Sequence, residues 1–215
     1  MTNMPSATDL ELLSMLGAAT LYEAQGATGA MDPAIKPVDP SMRLAGPAFP
    51  VMSPPGDNLM LHLAVTRARR GDILVVDAEG SLDIALWGDV LAAAAQAAGI
   101  AGLVIDGAAR DAAELTTMGF ATFARGLSIR GPGKAKAGTI GEPVTCGGIS
   151  VKPGDIVVGD RDGVVVLDAA RWRETLAAAR TRQSKEDTVK AELLKGRSTV
   201  EQFGLAATLK QLGLA

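Results

Sequence analysis

The sequence predicts a mixed α/β fold, and three observations carry that prediction. Short apolar runs of strand length, such as Gly71-Asp-Ile-Leu-Val-Val-Asp77 and Gly102-Leu-Val-Ile-Asp106, are bounded by turn residues. Helix-length segments alternate with them, for example Asp89 to Ala98 and about Arg110 to Met118. Apolar residues fill 47% of the 215 positions and aromatics only 3%, so a sizeable core must be built from Ala, Val, Leu, Ile and Met.

The elements follow in order. Thr8-Asp9-Leu10-Glu11 has capping-box spacing, and apolar residues after it predict a helix from about Asp9 to Gln25, stopped by Gly26. Turn residues from Gly29 to Pro40 lead to a strand around Pro47 to Met52. Pro54-Pro55-Gly56 then breaks the chain before a helix from about Asn58 to Arg70. After the strand at Gly71–Asp77 and the helix at Asp89–Ala98, the strand Gly102–Asp106 runs into a loop, Gly107-Ala-Ala. A helix from about Arg110 to Met118 and a strand at Ala121 to Ala124 come next. Gly126 to Gly141, rich in Gly, Lys and Arg, reads as an exposed loop. Strands follow near Val144, Ile149, Ile156 to Val158 and Val164 to Leu167. Asp168 then caps a long helix reaching Lys195, with Gly196 as its stop. Gly71-Asp72-Ile73 and Gly154-Asp155-Ile156 echo one another at the start of two strands, without a solenoid period. The reading is one α/β domain over residues 1–168 with a C-terminal helical arm, 169–215, whose charged sequence suits packing on a neighbouring subunit.

Composition excludes several function classes. Net charge is −3 and the 21 basic residues are scattered, so no basic face is offered to nucleic acid. Two tryptophans and one tyrosine make no base-stacking platform. Cys146 is the single cysteine and cannot form an internal disulfide, which points to a reducing cytoplasm. The start, Met1-Thr-Asn-Met-Pro-Ser-Ala-Thr8, lacks the features of a signal peptide, and no run approaches the ~20 apolar residues of a membrane helix. No dinucleotide or phosphate-loop glycine motif occurs, no lysine sits in an apolar strand as a Schiff-base aldolase requires, and Thr145-Cys146 is no nucleophile elbow.

Two strand–loop–helix junctions can carry chemistry: Trp87-Gly88-Asp89-Val90-Leu91 and Asp106-Gly107-Ala108-Ala109-Arg110-Asp111. Free N–H groups at a helix start favour anions, and ligands of α/β domains commonly lie beyond the carboxyl ends of strands. Arg110 offers a planar fork for a carboxylate or enolate oxygen, while Asp111 and Asp89 are hard oxygen ligands suited to Mg²⁺ or Mn²⁺. The same aspartates also read as simple helix caps, and Arg110-Asp111 as a surface ion pair.

These segments, with Phe123-Ala-Arg-Gly126, Val144-Thr-Cys-Gly-Gly148, Val151-Lys-Pro-Gly-Asp155 and Asp160-Arg-Asp-Gly-Val164 in the same order, resemble the regulator-of-ribonuclease-activity-A-like superfamily. Glu23-Ala-Gln-Gly26, Pro54-Pro-Gly-Asp-Asn58 with His62, and Lys185-Glu186 are similar to its branch of 4-carboxy-4-hydroxy-2-oxoadipate and 4-hydroxy-4-methyl-2-oxoglutarate aldolases. The resemblance, over roughly Leu13 to Leu212, implies a layered β/β/α swivelling-domain core and a trimer or dimer of trimers. It implies class II pyruvate aldolase chemistry, with possible oxaloacetate decarboxylation and a place in aromatic-compound degradation. Metal would sit on Asp111, with Asp89 holding it through water. The backbone of Gly88, Asp89, Val90 and Leu91 would cradle the 2-oxo acid, and Arg110 would bind the oxygen that gains charge. Glu186, from a neighbouring subunit's C-terminal helix, would assist removal of the 4-hydroxyl proton; it also reads as a solvated glutamate. Glu23 is a second candidate, although Glu23-Ala-Gln-Gly26 also reads as a helix end. His62, the only histidine, is either a pocket base near Asn58 or structural, and Cys146 reads as buried and inert. The superfamily's non-catalytic ribonuclease-binding regulators are the alternative function.

Overall fold

A computed structural model describes residues 4–214. Part of the leader reading, Met1 to Asn3, and the terminal Ala215 lie outside the described residues. The elements in chain order are α1 (Ala7–Leu16), α2 (Ala18–Ala24), β1 (Lys36–Pro37), β2 (Leu44–Met52), α3 (Leu59–Arg67), β3 (Ile73–Asp77), β4 (Ala85–Trp87) and α4 (Asp89–Ala98). They continue with β5 (Gly102–Ala109), α5 (Ala112–Met118), β6 (Thr122–Leu127), β7 (Thr139–Ile140), β8 (Val144–Cys146), β9 (Ile149–Val151), β10 (Ile156–Asp160) and β11 (Gly163–Leu167). The chain ends with α6 (Trp172–Leu194), α7 (Thr199–Gln202) and α8 (Ala206–Gln211). The α/β class is as expected.

One mixed sheet runs β1-β6-β5-β3-β2-β10-β11, with β4 beside β5 and β7 beside β2. β2, β3, β5 and β6 are parallel, β10 adds antiparallel to β2, and β11 adds antiparallel to β10. The sheet curls until its two ends are stitched through the segment before β1, where Met31 N–H donates to Val164 O and Val166 N–H to Gly29 O, both at 2.9 Å. Each strand's apolar side chains must then be covered on both faces, and two cores result. The larger packs α3, α4 and α5 with Leu74, Val76, Val104 and Phe123 of the parallel strands. The smaller sets Leu13, Leu21, Trp172 and Leu176 of α1, α2 and α6 against Ile156, Val158 and Val165.

The Gly-Asp-Ile echo is one turn used twice. Gly71 and Gly154 take φ of 87° and 85°, and Asp72 and Asp155 each accept the N–H three residues back, from Arg69 at 2.7 Å and Lys152 at 2.8 Å. The turns launch β3 and β10 on either side of β2.

Four local expectations are corrected. The first helix begins earlier, on a capping box made by Ser6 and Asp9, and breaks at Gly17 into α1 and α2. Gly17 has φ +81°, and Ala18 N–H is taken by the Asp160 carboxylate at 2.8 Å rather than by a helical carbonyl. Gly107-Ala108-Ala109 is strand, because β4 arrives to pair with it. Asp168 opens a turn by accepting Ala170 N–H at 2.7 Å, and the cap of α6 is Arg171. The long helix does stop at Lys195 and Gly196 as expected. Only its first turns are buried, at Trp172, Thr175, Leu176 and Ala179. Among the described residues, no helix is long and apolar enough to cross a membrane.

Candidate active site

The site follows from one register. β4 and β5 run parallel with Trp87 opposite Ala109, so the residues after each strand, Gly88-Asp89 and Arg110-Asp111, are adjacent. Arg110 N–H donates to Trp87 O at 2.9 Å and locks the two turns together. α4 starts at once, capped by Gly88. Its first intrahelical bond is Ala92 N–H to Gly88 O, which leaves the N–H groups of Asp89, Val90 and Leu91 without helical acceptors. Such donors and the helix dipole favour negative charge at this end of α4.

Arg110 and Asp111 are held at this helix start. Arg110 Nε lies 3.2 Å from Asp111 Oδ2, and that oxygen also accepts Asp89 N–H at 3.3 Å. Asp89 turns its own Oδ1 onto Val90 N–H at 2.7 Å. Asp111 takes the left-handed conformation, φ 56° and ψ 42°, which costs a non-glycine residue roughly 1–2 kcal/mol. Gly88 is required for a different reason: its backbone is extended, but a Cβ there would collide with Asp111 Oδ2 and press on Arg110 Nε at 3.1 Å.

Gly88 to Leu91 and Arg110 line one pocket of about 210 Å³. The structure therefore gathers all the predicted substrate-binding residues, with Asp111 on an adjoining shelf beside Leu127, Ser128 and Ile129. Glu186 is elsewhere in the chain: Arg182 pairs with Glu186 at 2.9 Å and with Glu23 at 3.5 Å, so one guanidinium holds both candidate carboxylates. Among the described residues no three His, Cys, Asp or Glu side chains converge as a closed metal cage.

Asn58, Trp87, Pro132 and Lys134 also line the pocket, together with His62. Asn58 and His62 are one turn apart at the start of α3, a spacing visible in the sequence. Lys134 had no such signal. It arrives because Asp57, 2% exposed, laces the loop down, accepting N–H from Ala135 at 2.7 Å and from Leu59 at 3.0 Å. Burial alone would push the Asp57 carboxyl up, but N–H groups from Ala135, Leu59 and Lys136 outweigh it and hold it below the ordinary carboxylate range. Under the site, Arg125 pairs with Asp106 at 2.5 Å and Asp32 at 2.9 Å, and Asp106 also accepts Gly147 N–H. Cys146 is fully buried; burial first, then the Asp106 charge, push its thiol far up, which suits an inert side chain.

A curled mixed sheet with an arginine–aspartate pair set against a helix N-terminus, at the ends of paired strands, defines the α/β architecture of this chain. The chain belongs to the RraA-like family (Aldolase/RraA), whose model matches residues 18–166. It is 38% identical, over 71% of its length and 73% of the relative's, to a Halalkalibacterium halodurans protein named "Putative 4-hydroxy-4-methyl-2-oxoglutarate aldolase". An uncharacterized protein from Pseudomonas syringae superposes with a TM-score of 0.79 at 29% identity, covering 92% of this chain and 96% of that one. The RNA-processing inhibitor RraA of Thermus thermophilis gives 0.64 at 29% identity over 69% and 90%.

Proposed function

We propose that the chain is a divalent-metal-dependent, class II pyruvate aldolase. It cleaves 4-hydroxy-2-oxo acids such as 4-carboxy-4-hydroxy-2-oxoadipate or 4-hydroxy-4-methyl-2-oxoglutarate to pyruvate and a second oxo acid, and decarboxylates oxaloacetate by the same logic. The observation that carries this reading is Asp111, held in a strained conformation against Arg110 and beside a glycine whose Cβ would displace both side chains, at the N-terminus of α4. Strain of this kind collects at functional sites.

The donor set suits Mg²⁺ or Mn²⁺. Asp111 would hold the ion directly and Asp89 through water, since such ions commonly keep several waters beside one or two carboxylates. When bound, the ion supplies Lewis-acid stabilisation of the charge that develops at the 2-oxo oxygen. The chain's own groups do the rest. The N–H groups at the start of α4 would bind the substrate carboxylate in place of the Asp111 and Asp89 oxygens that now accept from Asp89 and Val90, and Arg110 would face the 2-oxo oxygen as it gains charge. The C3–C4 electron pair moves to C3, C4 becomes the new carbonyl as the 4-hydroxyl proton passes to a neighbouring copy's Glu186, and a proton delivered to C3 from water completes pyruvate.

That last role requires assembly, which on this reading is a trimer or dimer of trimers. Val90, Leu127 and Ile129 stand 71%, 59% and 95% exposed around the site, and Leu194, Phe203 and Leu212 are exposed along the C-terminal segment. Two apolar surfaces on one chain suit a heterologous, ring-closing contact.

The test is pyruvate formation from oxaloacetate and from 4-hydroxy-4-methyl-2-oxoglutarate with Mg²⁺. Turnover should disappear with chelator and fall by about 100-fold or more in Asp111→Ala, by analogy with loss of a charge-stabilising group. No turnover of any 2-oxo acid, with tight binding to a ribonuclease, would instead establish the regulator function, which the likeness to the Thermus inhibitor makes the natural second reading.

A further inference from the structure

Among the described residues, three buried side-chain polar atoms lack a hydrogen-bond partner within the chain: Asn58 Oδ1, His62 Nε2 and Trp87 Nε1. All three residues line the same pocket as Arg110 and the start of α4. Asn58 and Trp87 are 5% and 1% exposed. Buried polar groups are nearly always paired, so three orphans around one cavity need partners that enter it. We infer that Asn58, His62 and Trp87 form a polar subsite that recognises the hydroxyl-bearing, carboxylated end of the substrate, the end remote from the 2-oxo group.

The hydrogen-bond inventory sets the chemistry. Asn58 Nδ2 already donates to Leu86 O at 3.0 Å, which leaves Oδ1 as the unpaired acceptor and obliges its partner to donate. Trp87 Nε1 can only donate, so its partner must accept. His62 Nε2 can do either according to its tautomer. A carboxylate alone would leave Asn58 unpaired, and a ketone alone would do the same. A hydroxyl beside a carboxylate satisfies all three, and Lys134, lining the same pocket, supplies a counter-charge. A site that hydrogen-bonds a substrate hydroxyl discriminates strongly against the analogue lacking it, because its own buried groups are then left unpaired.

The inference rests on the aldolase reading for its substrate, but its test does not require turnover. Binding of citramalate, a hydroxy-diacid, is compared by calorimetry with that of methylsuccinate, the same diacid without the hydroxyl, on the full chain with chelator present. The wild type should prefer citramalate by about tenfold or more, the scale of one hydrogen bond. Trp87→Phe keeps the ring stacked on Phe120 while deleting the N–H, and His62→Phe and Asn58→Ala remove the other two groups. In variants that melt like the wild type, Asn58→Ala should show the preference reduced to about twofold or less, while Trp87→Phe should weaken both diacids, because its N–H meets the carboxylate they share. With Mg²⁺, these variants should raise KM for the 4-hydroxy substrate while oxaloacetate, which has no hydroxyl, is affected less. Equal wild-type affinity for the two diacids, or, in variants that melt like the wild type, an unchanged preference in Asn58→Ala or an unchanged affinity for both diacids in Trp87→Phe, overturns the subsite. A variant-sensitive hydroxyl preference in a chain that turns over no 2-oxo acid would uphold the subsite and reject the aldolase.

Discussion

At the scale of single residues, Gly88 and Asp111 separate geometry from stability. Gly88 has an extended backbone that any residue can adopt, so Gly88→Ala should fold with its melting temperature nearly unchanged. Its new methyl would displace the Asp111 carboxylate and Arg110, and on the proposed reading kcat/KM should drop by about 100-fold, the scale of an ångström-sized misplacement. Asp111→Asn is the complementary case. Asn tolerates the left-handed conformation as well as Asp does, so the fold should persist while metal-dependent turnover is lost. Calorimetry and oxaloacetate turnover on the two variants check both outcomes. A large loss of stability without loss of turnover would mean that the pair only caps α5.

At the scale of elements, distant partners override local signals. Asp89–Ala98 was legible to the residue, because a helix start after Gly88, a run of alanines and a left-handed Gly99 all agree. The break at Gly17 was not legible: the carboxylate that receives Ala18 N–H belongs to Asp160, 142 residues away. Gly17→Ala should therefore cost about 2 kcal/mol, since Cβ at φ +81° would stand 2.9 Å from Asp160 Oδ2, and denaturant unfolding measures it. In the same way, Gly107-Ala-Ala looks like a loop until β4 pairs with it. Arg110, Asp111 and the turn at Gly88 were readable as residues, but their adjacency depends on that pairing. Lys134 was hidden because partners far off in sequence draw its loop over the pocket: Asp57 accepts Ala135 N–H, and Gly133 bonds to the backbone of Gly56 and Asn58. Asp57 also gives that loop a pH dependence. Its folded pKa lies below the unfolded value of about 3.9, so the stability it contributes is present above that pH and is lost as pH falls through the folded value. Hydrogen exchange at Ala135 N–H should accelerate relative to core amides on acidification below about pH 4, and Asp57→Asn should show that acceleration already at neutral pH.

At the scale of the whole molecule, one chain divides the proposed machinery between two places. Arg110 and Asp111 sit at the ends of β5 and α5, while Glu186 sits with Glu23 on Arg182, on the part of α6 beyond its last buried residue, Ala179. A helix of 23 residues is about 35 Å long, enough to carry Glu186 well outside its own domain. If a neighbouring copy's Glu186 completes the site, defects in the two groups must complement in trans. Asp111→Ala and Glu186→Ala chains, each inactive alone, are mixed one to one under conditions that exchange subunits. A working site needs an intact Asp111 in its own chain and an intact Glu186 in the neighbour. With random assembly into rings, roughly a quarter of the sites meet both conditions, whatever the ring size. Activity should recover toward about a quarter of the wild-type value. Mass spectrometry that proves exchange while activity stays at the level of the unmixed variants would remove Glu186 from the mechanism and leave the proton to a group within the chain that owns Asp111.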